Sequence, residues 1–292
     1  MAFKKILCPI DFSTTSQQAM RTAIRLANEH AAELVLVHTW SIPATAAASE
    51  FGISGEVVDQ LITDAQSSLD AAVAEAARIG AARVASKLLI GVPWQQVVDL
   101  AERDPAFDLI VIGTHGRTGG ARILLGSVAE AVVRHAPCPV LTVRGTGEPS
   151  PFANVLCPVD FSDSARDAVN LAADLVGADG AITLAHVVEL PIVYGVDFQI
   201  GPIENDLTAV AARQLERWRA DLAARTSAKV TQIVRTGRPG AQLLDALGAG
   251  TFDLVVMGSH GRTGIARVLL GSVAEKLVRH AGCSVLVTHR RR

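Results

Sequence analysis

The sequence predicts an α/β fold in which one doubly wound domain occurs twice. Three observations lead to this prediction. The 292 residues are enough for about two domains of roughly 150 residues each. Short apolar runs alternate with amphipathic stretches, which is typical of parallel strands joined by crossover helices. Segment 108–141 aligns without gaps on 253–286, with 25 of 34 positions identical, so each half is predicted to be a complete domain.

The individual elements follow from apolar runs and helix signals. Ser13 and Pro93 are suited to begin helices, one as a side-chain cap and the other in the first turn. In the first copy the predicted strands are 3–9, 33–39, 83–90, 108–112 and 140–144, and the predicted helices are 14–30, 57–79, 93–103 and 127–135. The second copy follows the same order. We expect domains at 1–145 and 152–292, with the Gly-, Pro- and Ser-rich stretch 145–151 as the linker.

Composition excludes several classes of partner. The net charge is −2 and the pI is about 6.4, and no basic stripe interleaved with aromatic residues is present, which argues against a nucleic-acid surface. No apolar run reaches the roughly 18 residues needed to span a membrane, and the N-terminus lacks an apolar signal segment. We therefore expect a cytoplasmic protein with neither nucleic acid nor membrane as a partner.

The spacing of the four cysteines argues against a disulfide or zinc framework. They form two repeat-equivalent pairs without the clustered spacing that such frameworks need: Cys8 with Cys157, and Cys138 with Cys283. We expect small buried residues at strand ends in a reducing compartment.

The strongest functional signal is a glycine-rich loop after the fourth strand of each copy. It has the form G-x-x-G, nine residues, G-S over 113–127 and again over 258–272. Ligands of doubly wound sheets bind beyond the carboxyl ends of the strands, where the strand order reverses. Each loop ends at a helix start, whose N–H groups and dipole favour phosphate, and Arg117 and Arg262 can add charge-assisted contacts. The pattern is neither the lysine-containing P-loop nor the dinucleotide fingerprint, which follows the first strand.

At these residues the sequence resembles the universal stress protein family, in its tandem form and its ATP-binding branch. The resemblance rests on the doubled loop, on opening strands that end in Pro-x-Asp, and on a histidine at the end of each second strand, and it covers essentially the whole chain. It implies two flavodoxin-like (adenine nucleotide alpha hydrolase-like) five-stranded sheets of order 3-2-1-4-5. It also implies ATP with accompanying Mg²⁺ in each domain, and pairing through the last strand of each domain, within the chain or in a homodimer.

The resemblance also implies which residues contact ATP. The adenine and ribose end is expected at Pro9, Ile10 and Asp11 and at Pro158, Val159 and Asp160, with Thr39 and Val187 at the adenine and Gly113 and Gly258 near the ribose. The phosphates are expected at Gly116, Arg117, Gly126, Ser127 and Val128, and at Gly261, Arg262, Gly271, Ser272 and Val273.

Several features leave alternatives open. The histidines divide into those expected to be structural (His38, His186, His135 and His280) and two inside the loops that are as well suited to contact a ligand (His115 and His260). Segments 41–55 and 189–206 differ most between the copies, and they are either a lid or partner surface or ordinary variable loops.

Loops without catalytic residues favour a regulator over an enzyme. The sequence contains no recognisable nucleophile–base pair and no metal-ligand spacing. The leading interpretation is an ATP-binding regulator with two sites per chain, whose nucleotide state is sensed by an unknown regulatory protein or by its own assembly. A slow ATPase or a phosphoryl- or adenylyl-transferring enzyme is one alternative, and a scaffold with vestigial sites is another.

Overall fold

The computed structural model describes residues 3–41, 55–114, 125–145, 149–190, 200–261 and 270–289. The chain divides into two compact units, one formed by residues before Ser150 and the other by Ser150–His289.

The first unit alternates strands and helices as the sequence predicts. Its strands are β1 (Lys5–Pro9), β2 (Glu33–Trp40), β3 (Val84–Ile90), β4 (Leu109–Gly113) and β5 (Val140–Val143), and its helices are α1 (Thr14–His30), α2 (Gly55–Arg78), α3 (Pro93–Arg103) and α4 (Ser127–His135). The ends agree with the predicted ones to within about two residues.

The sheet of the first unit is wholly parallel and has the order β3-β2-β1-β4-β5. Strand β1 therefore lies in the middle, with Lys5 opposite Glu33 on β2 and Ile6 opposite Leu109 on β4. Helices α1 and α2 pack on the sheet together, and α3 packs against α4. The strand order reverses between β1 and β4, which places the carboxyl ends of these two strands side by side.

The second unit repeats this architecture. Its strands are β6 (Phe152–Pro158), β7 (Val176–Val188), β8 (Lys229–Thr236), β9 (Leu254–Gly258) and β10 (Ser284–Thr288), and its helices are α5 (Asp163–Leu175), α6 (Ile200–Ala223), α7 (Pro239–Ala249) and α8 (Ser272–His280). The strands are again parallel and follow the order β8-β7-β6-β9-β10.

An aliphatic core holds each sheet to its helices. Ile6 and Leu7 of β1 and Val155 and Leu156 of β6 have no solvent exposure. Such β-branched and leucine side chains fill the space between a parallel sheet and its covering helices without aromatic clusters. Fully burying one of them stabilises the fold by about 1.5–3 kcal/mol, so the central strands are the most strongly anchored part of each unit.

Three details differ from the expectations. The variable segment 189–206 is not all loop, because α6 already begins at Ile200; Pro202 lies in its first turn, where the missing N–H costs nothing. Strand β7 starts early, with a register irregularity opposite Phe152 and Asn154. Of the four cysteines, all free, Cys283 is only half-buried.

The last residue of β4 is a glycine because the first turn of α1 leaves no room for a side chain. A Cβ on Gly113 would lie 2.8 Å from the carbonyl oxygen of Thr15. Gly258 at the end of β9 has the same environment, since its Cβ would lie 3.0 Å from the carbonyl carbon of Ser164. These close approaches bring the end of the fourth strand of each unit against the start of its first helix.

We predict that Gly113→Ala destabilises the protein by about 1–3 kcal/mol, the usual cost of forcing an extra methyl group into a tightly packed site. The obstacle is backbone, which cannot move aside cheaply. Gly248→Ala is the matched control, because a Cβ there meets nothing within 4 Å and alanine suits a helix better than glycine. Urea unfolding measures both, and equal stability of the two variants would contradict the packing argument.

Candidate functional site

The turn after the first strand of each unit is fixed by an aspartate and a serine. Asp11 accepts hydrogen bonds on Oδ1 from the N–H of Ser13 at 3.1 Å and from its hydroxyl at 2.5 Å. Ser13 Oγ then accepts from the N–H of Ser16 and caps α1. Asp160 and Ser162 repeat the arrangement at 3.0 and 2.6 Å. Each carboxylate is thereby held at the carboxyl end of the sheet, over the start of a helix.

A phenylalanine with a left-handed backbone conformation follows each Pro-x-Asp motif. Phe12 has φ 65° and Phe161 has φ 66°, a backbone region that costs a side-chain-bearing residue roughly 1–2 kcal/mol. Each ring packs on the histidine at the end of the next strand, with centroids 4.6 Å apart for His38 and 4.5 Å for His186.

These two histidines have a structural role. The Nδ1 atom of His38 lies 2.8 Å from the carbonyl oxygen of Ile10, and that of His186 lies 2.6 Å from the carbonyl oxygen of Val159. A carbonyl oxygen only accepts, so Nδ1 carries the hydrogen and donates in both cases. These bonds connect the second strand to the turn after the first strand, which agrees with the structural role expected for His38 and His186.

The two ends of each glycine-rich loop are joined by a backbone hydrogen bond. The N–H of Gly126 donates to the carbonyl of Thr114 at 2.7 Å, and that of Gly271 donates to Ser259 at 2.8 Å. Each loop therefore leaves its strand and returns to the same point before the next helix begins.

In the second unit this loop meets the aspartate turn. A Cβ on Gly261 would lie 2.9 Å from Oδ2 of Asp160, and a Cβ on Gly271 would lie 3.3 Å from the carbonyl oxygen of Ser259. Gly261, a predicted phosphate-site residue, thus packs directly against the predicted ribose-end aspartate, and Gly271 lies beside Gly261. A side chain at Gly261 would collide with the carboxylate of Asp160, and one at Gly271 would press on the carbonyl of Ser259.

The helices that follow the loops begin without a side-chain cap. Gly126 and Gly271 are the N-cap residues, with φ −65° and −60°, and a glycine has no side chain with which to cap the helix. Ser127 and Ser272 are the first helical residues, followed by Val128 and Val273. The first N–H groups of a helix have no intrahelical acceptor and carry its positive dipole end, so these starts are suited to an anion.

One acidic residue in each first turn opposes that preference and is partly neutralised. Glu130 of α4 pairs with Arg134 at 3.2 Å, and Glu275 of α8 pairs with Arg279 at 3.1 Å. Both are pairs one turn apart on a helix surface. They hold the carboxylates along the helix side.

The remaining predicted site residues are placed as follows. Thr39 lies near the carboxyl end of β2 and Val187 near that of β7, each on the strand beside the one that carries the aspartate turn. Gly116, Arg117, His115 and Arg262 lie outside the described residues.

A pair of histidines in the second unit was missed from the sequence as a pair. The Nδ1 atom of His260 lies 2.9 Å from Ser259 Oγ, while its Nε2 and both ring nitrogens of His289 are buried without a partner among the described residues. Burial, with a smaller contribution from the neighbouring His260, lowers the pKa of His289 to about 4. The available signal was a break in the repeat, because the first copy carries Arg144 at the aligned position.

Within the described ranges no cluster of three or more metal-binding side chains occurs. No helix in that part of the chain is long and apolar enough to cross a membrane.

Comparison with known proteins identifies the family. The universal stress protein family matches the chain twice, over residues 2–144 and 151–289. The chain belongs to the universal stress protein family. Both matches together make it a tandem member, as the doubled loop indicates.

Individual relatives agree with this assignment. Universal stress protein MJ0531 of Methanocaldococcus jannaschii is 37% identical over 142 residues, which are 49% of this chain and 82% of that protein. Universal stress protein Mb2028c of Mycobacterium bovis is 32% identical over 217 residues, 71% of this chain and 69% of the relative. The crystal structure of a universal stress protein from Archaeoglobus fulgidus superposes with a TM-score of 0.68 at 19% identity, covering 99% of this chain and 100% of that one.

We predict that acid destabilises the second unit through His289. Its pKa is depressed in the folded state, so the unfolded chain binds the proton first. Stability is therefore full above about pH 6.5 and falls as the pH drops toward 4, by up to about 3 kcal/mol. Denaturant unfolding of wild type and His289→Leu at pH 7.5 and 4.5 measures the difference.

The exposed His280 provides the control variant, His280→Leu, which should keep the pH dependence of the wild type. A His289→Leu protein that loses as much stability as wild type between the two pH values would contradict the assignment.

Proposed function

We propose that each domain of this universal stress protein binds one ATP at the carboxyl edge of its sheet. We further propose that the nucleotide state regulates a partner or the protein's own assembly in the stress response. One observation carries the proposal. In the second unit, the loop after β9 packs on the aspartate turn after β6, so closely that a Cβ on Gly261 would lie 2.9 Å from Oδ2 of Asp160.

The phosphate end of the proposed site is the start of α8, and of α4 in the first domain. A glycine N-cap offers no side chain to compete for the first N–H groups. Such groups bind phosphate oxygens directly, aided by the helix dipole. The hydroxyls of Ser127 and Ser272, at the first helical positions, add one donor each.

The nucleoside end is proposed at the aspartate turn. Asp160 uses Oδ1 to hold Ser162, while Oδ2 is directed toward Gly261. A carboxylate accepts hydrogen bonds from paired ribose hydroxyls, as acidic residues do in other nucleotide sites of doubly wound sheets. Asp11 is held by Ser13 in the same way, so the first domain has an equivalent anchor.

Mg²⁺ fits this scheme as a companion of the nucleotide rather than a resident metal. It is usually held by phosphate oxygens, waters and one or two carboxylates. The described residues contain no three-ligand cluster that would hold it alone. We propose that it enters with the triphosphate.

We propose that the nucleotide acts as a signal and that the protein is not an enzyme. Support comes from the way the two aspartates at the edge are used. Asp11 and Asp160 each accept a short hydrogen bond from the serine that caps the following helix, which fixes the turn. A general base must instead lie within hydrogen-bond reach of the attacking water, and the serine bonds direct one oxygen of each carboxylate away from that task.

The proposal predicts up to two nucleotides per chain. We expect the double variant Gly261→Val/Gly271→Val to lose one of them, because its side chains would collide with Asp160 and with the carbonyl of Ser259, in the second domain only. Denaturation of the purified protein and chromatography of the released nucleotide give the identity and the stoichiometry. Gly248→Ala, on α7 with open space around its Cβ, should keep the wild-type value.

Unchanged nucleotide content in the double variant would contradict the site. If the protein hydrolysed added ATP faster than about one turnover per minute, the regulatory role would be contradicted and the alternative of a slow ATPase or transferase would be favoured. That rate is still far below the enzyme median of roughly ten per second. Failure of ATP to raise the melting temperature would favour a vestigial scaffold, since a ligand that binds the folded state must stabilise it.

A further inference from the structure

The two domains differ in how they fill the space between their first two helices. In the first domain, α1 and α2 leave a cavity of about 320 Å³ beside the turn that follows β1. Its apolar lining is formed by Ile10, Phe12, Met20, Ala71 and Ala72, and its polar lining by Ser16, Gln17, Arg21, Ser68 and Glu75. The volume lies at the lower end of the range of small-molecule sites.

Trp218 occupies the equivalent place in the second domain. The buried positions of α2 (65, 69 and 76) and of α6 (211, 215 and 222) have the same spacing, which aligns Ala72 with Trp218. Trp218 is only 9% exposed. Its ring meets that of Phe161 edge-on, with centroids 5.7 Å apart. Phe161 corresponds to Phe12, so the same phenylalanine borders the indole in one domain and the cavity in the other.

A cation also lies over the face of this indole. The guanidinium of Arg166 lies 4.2 Å from the centre of the Trp218 ring, a distance at which a cation is attracted to an aromatic face. Arg166 also pairs with Asp221 at 3.4 Å. The aligned residues of the first domain are Gln17 and Glu75, so an uncharged amide stands where the second domain has the guanidinium of Arg166.

The lining of the first cavity is suited to a planar, largely neutral molecule. Phe12 and Met20 offer an aromatic ring and a polarisable thioether, both of which pack favourably against aromatic rings. Arg78 donates to both carboxylate oxygens of Glu75 at 2.7 Å, which lowers the pKa of Glu75, and Arg21 lies near enough to lower it slightly more. A carboxylate already paired with arginine leaves no strong preference for an ionic ligand.

We propose that the first domain binds a planar aromatic or heteroaromatic small molecule, of about the size of indole, between α1 and α2. The molecule takes the place that the second domain fills with Trp218. The site does not depend on the proposed nucleotide function. Its walls are the turn after β1, the first turns of α1 and the middle of α2, and Ile10 is the one residue it shares with the predicted ATP contacts.

Indole is the probe for this site. Titration calorimetry of the full chain should give one indole per chain, half-saturated below about 1 mM, a reasonable affinity for so small a ligand. Ala72→Trp copies the second domain and should weaken binding at least tenfold. Trp218→Ala opens the equivalent space in the second domain and should raise the stoichiometry to two. Saturating ATP should leave all three titrations unchanged.

Four outcomes would overturn the proposal. The wild type would bind no indole up to about 5 mM, a limit above the expected dissociation constant, or Ala72→Trp would bind indole with unchanged affinity. Trp218→Ala would gain no second site, or ATP would displace indole, which would assign the cavity to the nucleotide. Ala72→Leu, a smaller filling, replaces Ala72→Trp if circular dichroism shows that the latter is unfolded, and it too should weaken binding.

Discussion

The packing of a strand-end glycine against the first turn of a helix is the contact on which each domain's site depends. At Gly113 and Gly258, the fourth strand approaches the first helix so closely that no side chain fits. The helix start itself is fixed by the aspartate turn after the first strand. One close approach therefore brings the end of the fourth strand, where the glycine-rich loop begins, next to the aspartate turn that starts the first helix.

Hydrogen bonds then give the turn a single geometry. The serine cap, the aspartate that receives its hydroxyl, and the histidine bonded to the preceding carbonyl belong to one connected set. The left-handed phenylalanine between them carries a backbone cost of roughly 1–2 kcal/mol. Both domains keep this residue, and in both its ring packs against the bonded histidine. The polar groups position the turn, and the ring contact offsets part of its backbone strain.

Much of this was predictable from the sequence, because the signals were local and doubled. Apolar runs gave the strands, Ser13 and Pro93 gave helix starts, and the reversal point of a doubly wound sheet follows from chain order alone. The family was recognisable from the glycine spacing. What the sequence did not disclose depends on contacts between distant segments. The half-buried pair His260 and His289 and the contacts of Trp218 with Phe161 and Arg166 involve residues brought together only by packing. The early start of α6 lay within a stretch that the repeat did not align.

In the second domain Trp218 fills the space between α5 and α6, whereas in the first domain a cavity lies between α1 and α2. This difference affects how the chain unfolds. A chain of several domains is not obliged to unfold in a single step, and an unfilled space removes packing contacts from the half that contains it. The two halves therefore have the same topology and unequal packing. On heating, the half that contains the cavity is expected to unfold first. A species in which only the half that contains Trp218 remains folded then accumulates before complete unfolding.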